Sequence, residues 1–600
     1  MLPARLYLSG SRSSFSATLL TIVAYAAALC LAPLPARAQQ SSEILPLSQV
    51  QPGMQGYAYT IFAGDQVEKF ELEVIGIMPN FLGPKQNIIL VQLKGPKVEH
   101  TGVVAGMSGS PVYLDGKLAG ALSLKLGVFT KEPIAGVTPI EDMLHPPAQN
   151  SSAQVGMQQL SLPSEAAART GLPTASVLEP IESPLVFSGF QPAALQQFAP
   201  QFQGYGFVAT QGGTAAPRPD DKQLAPGDMA GMVLVQGDAS INSACTVTAI
   251  QAGRVYLCGH PFLSLGDVQL PMARSRVLTT LSSDLASTKI VTMGGSIGTI
   301  TGDHLTAVTG NLGPAPALVP LDLTLSAAGA EKKLHFEMIN HPRLTPLLVA
   351  LTIFNGLTQN SIYGEGTTLH LTGEIVLKGH APVRIENTFT PGDAFSPDGL
   401  PIALNMQTVF ARLFANTFEQ PVVDHIALRV ESVPGRNSFT IESAWLEKGE
   451  AAPGETLRVR ALVRPYRGAA HVEETTVRVP DQAARGTLLR VLVCDGDMLN
   501  RASRGFAFAA GGSSGLDQLI ALLNRERRND RLYVGLFTPT PTILWDDKEL
   551  PNVPLSEINV VDGRPTPGSV QILRESLAGE SSIPLAGPVS GVISLNLQIR

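Results

Sequence analysis

Residues 103–122 read VVAGMSGSPVYLDGKLAGAL. Gly106 and Gly109 frame Ser108, and Pro111 follows. Glycine reaches positive φ without steric cost and lets a second backbone come close, so the run predicts a tight turn with the Ser108 hydroxyl presented on it. Behind it, PVYL and KLAGALSL flank Asp115-Gly116, the signal of a two-residue hairpin that would brace the turn. In such a turn the amide N–H groups of Gly106 and Ser108 can point at one spot and form an oxyanion hole. A Gly/Ser-rich β-turn without chemistry fits the same residues. Ser110 is the weaker nucleophile of the pair, because Ser108 stands where a glycine would have to precede it.

Working outward, short β-rich runs such as FELEVIGIM, NIILVQL and IAGVTPI alternate with turns and predict a small barrel-like β domain over 39–145. Residues 146–188 are rich in Gln, Ser, Ala and Pro and read as a linker, and 191–203 as a short helix interrupted by Pro200, so 146–204 is taken as linker and helix. A second β domain is expected over 205–330. An α+β extension follows over 331–434, with helices near 343–356 and 402–417 around the strand TTLHLTGEIVL. Residues 435–600 alternate in the manner of a β-sandwich, with one helix near 515–527.

The whole chain has 600 residues, enough for about three to five domains. Charged residues are 16%, hydrophobic residues 44%, and Gly 57 and Pro 46 are dispersed, a profile of turn-rich β structure rather than coiled coil. A net charge of −7 gives no basic footprint for nucleic acid. Residues 1–38 read as a secretory signal, with Arg5 and Arg12, the apolar run 17–32, and Ala36-Arg37-Ala38 as cleavage site. No later run is long and apolar enough to span a bilayer. A secreted or periplasmic protein without an integral span is therefore expected. Three cysteines follow the signal. Cys245 and Cys258 flank a hairpin turning at Gln251-Ala252-Gly253, which fits either a disulfide or two packed thiols, and Cys494 is left over. No metal-ligand spacing or cofactor motif is present. Asp495-Gly496-Asp497 reads as a turn rather than a calcium loop, and Trp445 and Trp545 as core residues.

A serine nucleophile needs a base. Of the ten histidines, His100 lies eight residues before Ser108, His145 sits beside two prolines at a domain edge, and His304, His335, His341, His370, His380, His425 and His471 lack a context like that of His260. In RVYLCGHPFLSLGD, His260 leaves an apolar strand through Gly259 and enters a turn at Pro261. A structural histidine held in a turn would look similar.

The spacing G-x-S-G-x-P is similar to that of serine peptidases with a two-barrel fold. More specifically, VEKFELEVIG, TGVVAGMSGSPVYLDGKLAGAL and IAGVTPIEDML, between Val67 and Leu144, resemble the catalytic segment of the SpoIVB-type (sporulation stage IV B) serine peptidases. CTVTAIQAGRVYLCGH and GGSIGTITGDHLTAVTGNLG resemble the same family. The resemblance implies a trypsin-like two-barrel core, which with the few helices and the C-terminal β-sandwich-like module read above makes a mainly β fold. It implies Ser108 as nucleophile and His260 as base. Two departures stand out. The serine segment precedes the histidine segment, so the half-domains are in swapped order, which catalytic geometry tolerates. The acid expected upstream of the serine is missing, since that region reads Leu93-Lys94-Gly95-Pro96. Asp303, in the glycine-rich match, is the foremost catalytic candidate for the third position, with Asp267, Glu99 or no acid as alternatives.

The expected function is an exported serine endopeptidase acting on a protein or peptide substrate without a cofactor. The C-terminal module would position substrate or meet a cell-surface partner. The other readings are a binding or surface-assembly protein on a peptidase fold, favoured by the missing acid, and an esterase using the same serine. The linker at 146–188 is an expected site of self-cleavage.

Overall fold

The computed structural model describes residues 43–127, 132–146, 160–161, 177–203, 208–212, 223–283, 287–327, 329–359, 367–390, 399–504, 515–545, 548–562 and 570–600. The signal segment and most of the expected linker lie outside them. Described strands to His304 and just beyond are β1 (Gln55–Ile61), β2 (Val67–Gly83), β3 (Gln86–Lys94), β4 (Pro111–Leu114), β5 (Lys117–Leu126), β6 (Ile134–Pro139), β7 (Leu160–Ser161), β8 (Val177–Pro180), β9 (Pro184–Ser188), β10 (Val208–Gln211), β11 (Met229–Gly237), β12 (Ser240–Gln251), β13 (Arg254–Leu257), β14 (Gly266–Leu281), β15 (Thr288–His304) and β16 (Ala307–Leu312).

Two closed six-stranded barrels follow from their pairing. The first runs β1-β2-β3-β6-β5-β4 and closes where β4 pairs with β1. The second runs β12-β13-β16-β15-β14-β11 and closes where β11 pairs with β12. Every rung in both rings is antiparallel. Closure removes the free strand edges that would otherwise template aggregation. The mainly β two-barrel fold is thus as the resemblance implied.

The two predicted tight turns exist for the stated reason. Asp115 (φ 48°) and Gly116 (φ 78°) are both left-handed between Leu114 and Lys117, as are Ala252 (φ 49°) and Gly253 (φ 82°) between Gln251 and Arg254. Positive φ at both central residues matches the twist of the flanking strands. The second hairpin brings Cys245 and Cys258 together with Cα atoms 5.3 Å apart, and the structure joins them in a disulfide. Cys494 is a buried free thiol whose pKa burial pushes up to about 12.

Several expectations are corrected. Residues 177–188, read as linker, form β8 on β5 of the first barrel and β9 on β12 of the second. Pro180 and Pro184 interrupt the run, so it shows no strand periodicity of its own, and tertiary pairing makes it strands. The helix Pro192–Gln203 runs through Pro200. The proposed boundary at 330 falls inside a hairpin, because β17 (Val319–Ala327) and β18 (Ala330–Met338) pair along their length and carry the second barrel's sheet onward through β21 (Val423–Pro434), β19 (Thr367–Leu377) and β20 (Val383–Phe389). Helices Thr345–Gln359 and Leu400–Phe414 pack on that extension in one apolar core with the second barrel.

The C-terminal region has a four-stranded and a five-stranded sheet with a shared core that includes Val459, Val463, Val491, Val534 and Leu597, the two-layer arrangement of a sandwich. The strand Thr456–Pro465 shows the cause: its residues alternate between interior and solvent. Asp495-Gly496-Asp497 begins a helix rather than a turn. Asp495 Oδ1 accepts the Met498 N–H at 2.8 Å, capping Gly496–Arg504. Trp445 and Trp545 are 38% and 36% exposed, not core.

Candidate active site

The two barrels meet at the serine turn. Thr246 of β12 donates its N–H to the Ser108 carbonyl (2.7 Å) and its hydroxyl to the Gly106 carbonyl (3.1 Å), and Thr248 Oγ1 donates to the Gly109 carbonyl (2.8 Å). Ala105 bridges β15, its N–H reaching the Ser287 carbonyl (2.9 Å) while Lys289 N–H reaches the Ala105 carbonyl (3.1 Å). The turn needs its glycines. Gly109 has φ +89°, and a Cβ there would stand 2.0 Å from the Thr246 carbonyl oxygen and 2.5 Å from the Cys258 nitrogen. Glycine is what allows the strands to pass this closely.

The histidine arrives from the other side. Cys258 (φ 69°) and Gly259 (φ 74°) are consecutive left-handed residues that swing the chain out of β13. Gly259 lies against the first barrel, its missing Cβ 3.1 Å from Ser123 Cβ and 3.4 Å from the Leu122 carbonyl oxygen. That same carbonyl accepts the Gly109 N–H at 2.7 Å, so the residue after Ser108 and the residue before His260 flank one atom of β5. Thr138 Oγ1 of β6 fixes the Gly259 carbonyl at 2.7 Å. The fold therefore brings together two motifs separated by more than a hundred residues.

Ser108 is fully buried and His260 is 5% exposed. Ser108 Oγ and His260 Nε2 are both buried without a hydrogen-bond partner. His260 Nδ1 lies 2.8 Å from the Pro261 carbonyl oxygen. A carbonyl can only accept, so this contact calls for the proton on Nδ1 and leaves Nε2 as the ring's acceptor. Burial lowers the His260 pKa, opposed by the Pro261 and Ile181 carbonyls and by the charge of Glu182. The neutral, proton-accepting imidazole is favoured.

The Ser108 N–H is aimed by its neighbour. The Met107 carbonyl is held by the Ser110 N–H (3.0 Å) and the Ser110 hydroxyl (2.7 Å), and in a trans peptide the next N–H points the opposite way. Gly106 is different: its N–H is given to the Glu182 carbonyl at 3.0 Å. One of the two expected oxyanion amides thus already holds a carbonyl oxygen of the chain itself.

Asp303 is buried, and it does not hydrogen-bond His260. Its Oδ1 accepts the Phe262 N–H (2.6 Å), and its Oδ2 accepts those of Leu263 (2.8 Å) and Leu265 (3.1 Å). Burial raises its pKa, opposed by those three amides and by His304. Asp303 pins the loop that follows His260. Asp267 is almost wholly exposed and pairs with His304 at 3.2 Å. Glu99 accepts the Gly95 N–H at 2.9 Å at the start of its own short helix. The structure brings the turns that carry Gly106, Ser108 and His260 to either side of the Leu122 carbonyl without a hydrogen bond between Ser108 Oγ and His260 Nε2, and sets Asp303 behind the His260 loop, while Asp267 pairs with His304 and Glu99 with its own helix start.

Two residues escaped the sequence reading. Glu182 stands in the presumed linker, yet its charge acts on His260 and its carboxylate pairs with Lys125 at 2.7 Å. Lys289 is fully buried in β15, with Nζ 2.7 Å from Thr60 Oγ1, 3.2 Å from the Gly106 carbonyl oxygen and 3.7 Å from Met229 Sδ. Burial lowers its pKa to about 7. The only hint in the sequence is a lone lysine in an apolar strand, TKIVTM.

Comparison with known proteins finds similarity in the part of the chain that holds the serine turn. Two curated proteins of Corynebacterium glutamicum, one from strain R described as an uncharacterized peptidase and one from a second strain also named a peptidase, are each 29% identical to the chain over 125 residues. The match covers 20% of this chain and 44% of each relative, less than half the length of those proteins. The family model described as SpoIVB peptidase S55 matches residues 34–144, which contain β1 to β6 and the serine turn. Around Ser108, therefore, the chain is similar over residues 34–144 to the SpoIVB peptidase S55 family, a family of serine peptidases.

Proposed function

We propose that the protein is an exported serine endopeptidase whose Ser108 and His260 act as nucleophile and base. One observation carries the reading. Ser108 Oγ and His260 Nε2 are buried polar atoms without partners, on motifs that the two barrels bring to opposite sides of the Leu122 carbonyl. A buried polar atom without a partner is costly, and such orphans gather where chemistry is done.

In the reaction, His260 Nε2 takes the Ser108 proton as Oγ bonds to the scissile carbonyl carbon. The oxyanion is received by the Ser108 and Gly106 N–H groups. His260 returns the proton to the leaving amine as the C–N bond breaks, giving the acyl-enzyme. Water, deprotonated by His260, then releases the acid and regenerates Ser108. The Pro261 carbonyl holds the tautomer this needs, in place of an aspartate. Asp303 keeps the 261–265 loop, and with it the ring, in place. Gly106 can serve only after releasing Glu182, so the resting site must open before substrate enters. Export rests on the signal-like segment 1–38. The C-terminal sandwich is proposed to position substrate or meet a cell-surface partner.

The test is labelling with a fluorophosphonate, which phosphonylates an activated serine. Wild type is expected to label slowly at one site. Ser108→Ala should not label, and His260→Ala should label about a thousandfold more slowly or less. A well-folded wild type that stays unlabelled, including when Glu182 is substituted, would end the reading.

A further inference from the structure

The segment that covers the site lies on it as an extra β-strand. β5 pairs with β4 only as far as Ala121 opposite Pro111, and beyond that point its edge is free of β4. Val177–Glu182 fills it. The Gly127 N–H reaches the Val177 carbonyl (2.8 Å), Glu179 stands opposite Lys125, and the Ile181 N–H reaches the Ser123 carbonyl (2.9 Å). One residue later the Glu182 carbonyl takes the Gly106 N–H. Backbone contacts at alternate residues, ending on an oxyanion amide beside a serine and a histidine, are how an extended peptide would be held for cleavage.

The side chains of this strap report what the groove accepts. Ile181 is fully buried in the first barrel's apolar cluster, which also holds Val104, Met107 and Leu122. Glu182 and Glu179 converge on Lys125, at 2.7 and 3.4 Å. Lys125 is only 9% exposed, so its charge is directed into the groove rather than to solvent.

We infer that the free edge of β5 is the substrate groove, occupied at rest by Val177–Ser183, and that it takes an extended peptide with a branched aliphatic residue followed by an acidic one, Lys125 being the residue that reads the acid. This rests on the serine-peptidase reading for its chemistry, but not for its binding. The strap excludes other peptides until it is displaced, and a substrate must match its contacts to compete.

The test uses the full chain, a fluorophosphonate and a fluorescein-labelled peptide VLEPIESP, the sequence of residues 177–184. Glu182→Lys sets a like charge against Lys125, and should raise the Ser108 labelling rate about tenfold. Adding Lys125→Glu restores the pair and should return the rate to near the wild-type value. By fluorescence polarisation the peptide should bind Glu182→Lys more tightly than wild type and slow its labelling. The peptide with lysine at both glutamate positions should bind only the Lys125→Glu variant. If wild type labels but Glu182→Lys is no faster and the peptide does not bind, the groove inference fails and the serine reading stands. If nothing labels but the peptide binds with the stated charge preference, the groove stands and the serine reading falls.

Discussion

Lys289 Nζ and the Gly106 carbonyl oxygen lie 3.2 Å apart in a site closed to water. The other neighbours of the amine are the Thr60 hydroxyl and the Met229 thioether. The nearby charges are paired elsewhere: Glu68, opposite Thr60 on β2, with Lys97, and Asp228, beside Met229, with Arg274. An ammonium here loses hydration without gaining a counter-charge, so its pKa drops to about 7 from 10.5. Between those values the unfolded chain holds a proton that the folded protein does not. Stability should therefore rise with pH through that window, by about 1.4 kcal/mol per unit. Lys289→Met should be the more stable protein at pH 7 and should lack the slope. Urea unfolding of both proteins from pH 7 to 9.5 measures it, and parallel slopes would refute the argument.

His260 sets the acid side of reactivity. Burial lowers its pKa below the ordinary 6.5, so the base form persists into mildly acid solution. The acid limb of the labelling rate should have its midpoint below 6.5. The stability that depends on a neutral His260 should likewise fade as pH drops below 6.5. A limb centred above that value would mean a different base.

Asp303 acts through a loop rather than through the imidazole. Asp303→Asn keeps at most one good acceptor for three amides and turns an NH2 group toward the others. It should cost about 2 to 4 kcal/mol and slow labelling by about tenfold or more, because the 261–265 loop carries the Nδ1 partner of His260. The acid-limb midpoint should move little, whereas a carboxylate bonded directly to the ring would shift it. Thermal unfolding with a pH series of labelling rates separates the two.

The Cys245–Cys258 bridge closes a short loop next to His260. Replacing both cysteines by serine should cost about 2 to 4 kcal/mol and reduce labelling, since Gly259 leaves β13 at Cys258. Reductant should mimic the substitution in wild type and leave the variant unchanged, as measured by unfolding midpoint.

Gly109→Ala and Gly116→Ala make a controlled pair. Both glycines have positive φ, 89° and 78°. Alanine at Gly116 meets open space and should cost only about 1 kcal/mol. Alanine at Gly109 would drive a methyl into the Thr246 carbonyl and should abolish labelling and soluble folded protein, judged by yield and circular dichroism.

Much of this architecture was legible before any coordinates. The Asp115-Gly116 and Ala252-Gly253 turns were readable because only certain residues take left-handed φ cheaply. The helices near 345–359 and 400–414 were readable because their apolar spacing is local. Ser108 and His260 stood out because glycine frames both. What sequence could not supply is contact between distant segments. Residues 177–188 have no pattern of their own, and became strands only because β5 and β12 offered them edges. Asp303 was picked as the partner of an imidazole, but three amides from another loop take both its oxygens. Lys289 looked like any strand lysine until β1, the serine turn and β11 enclosed it. Residue type and local spacing thus determined the turns, the helices and the two reactive motifs. Barrel closure and docking decided which groups face one another, because hydrogen bonding and desolvation depend on neighbours that the chain order does not reveal.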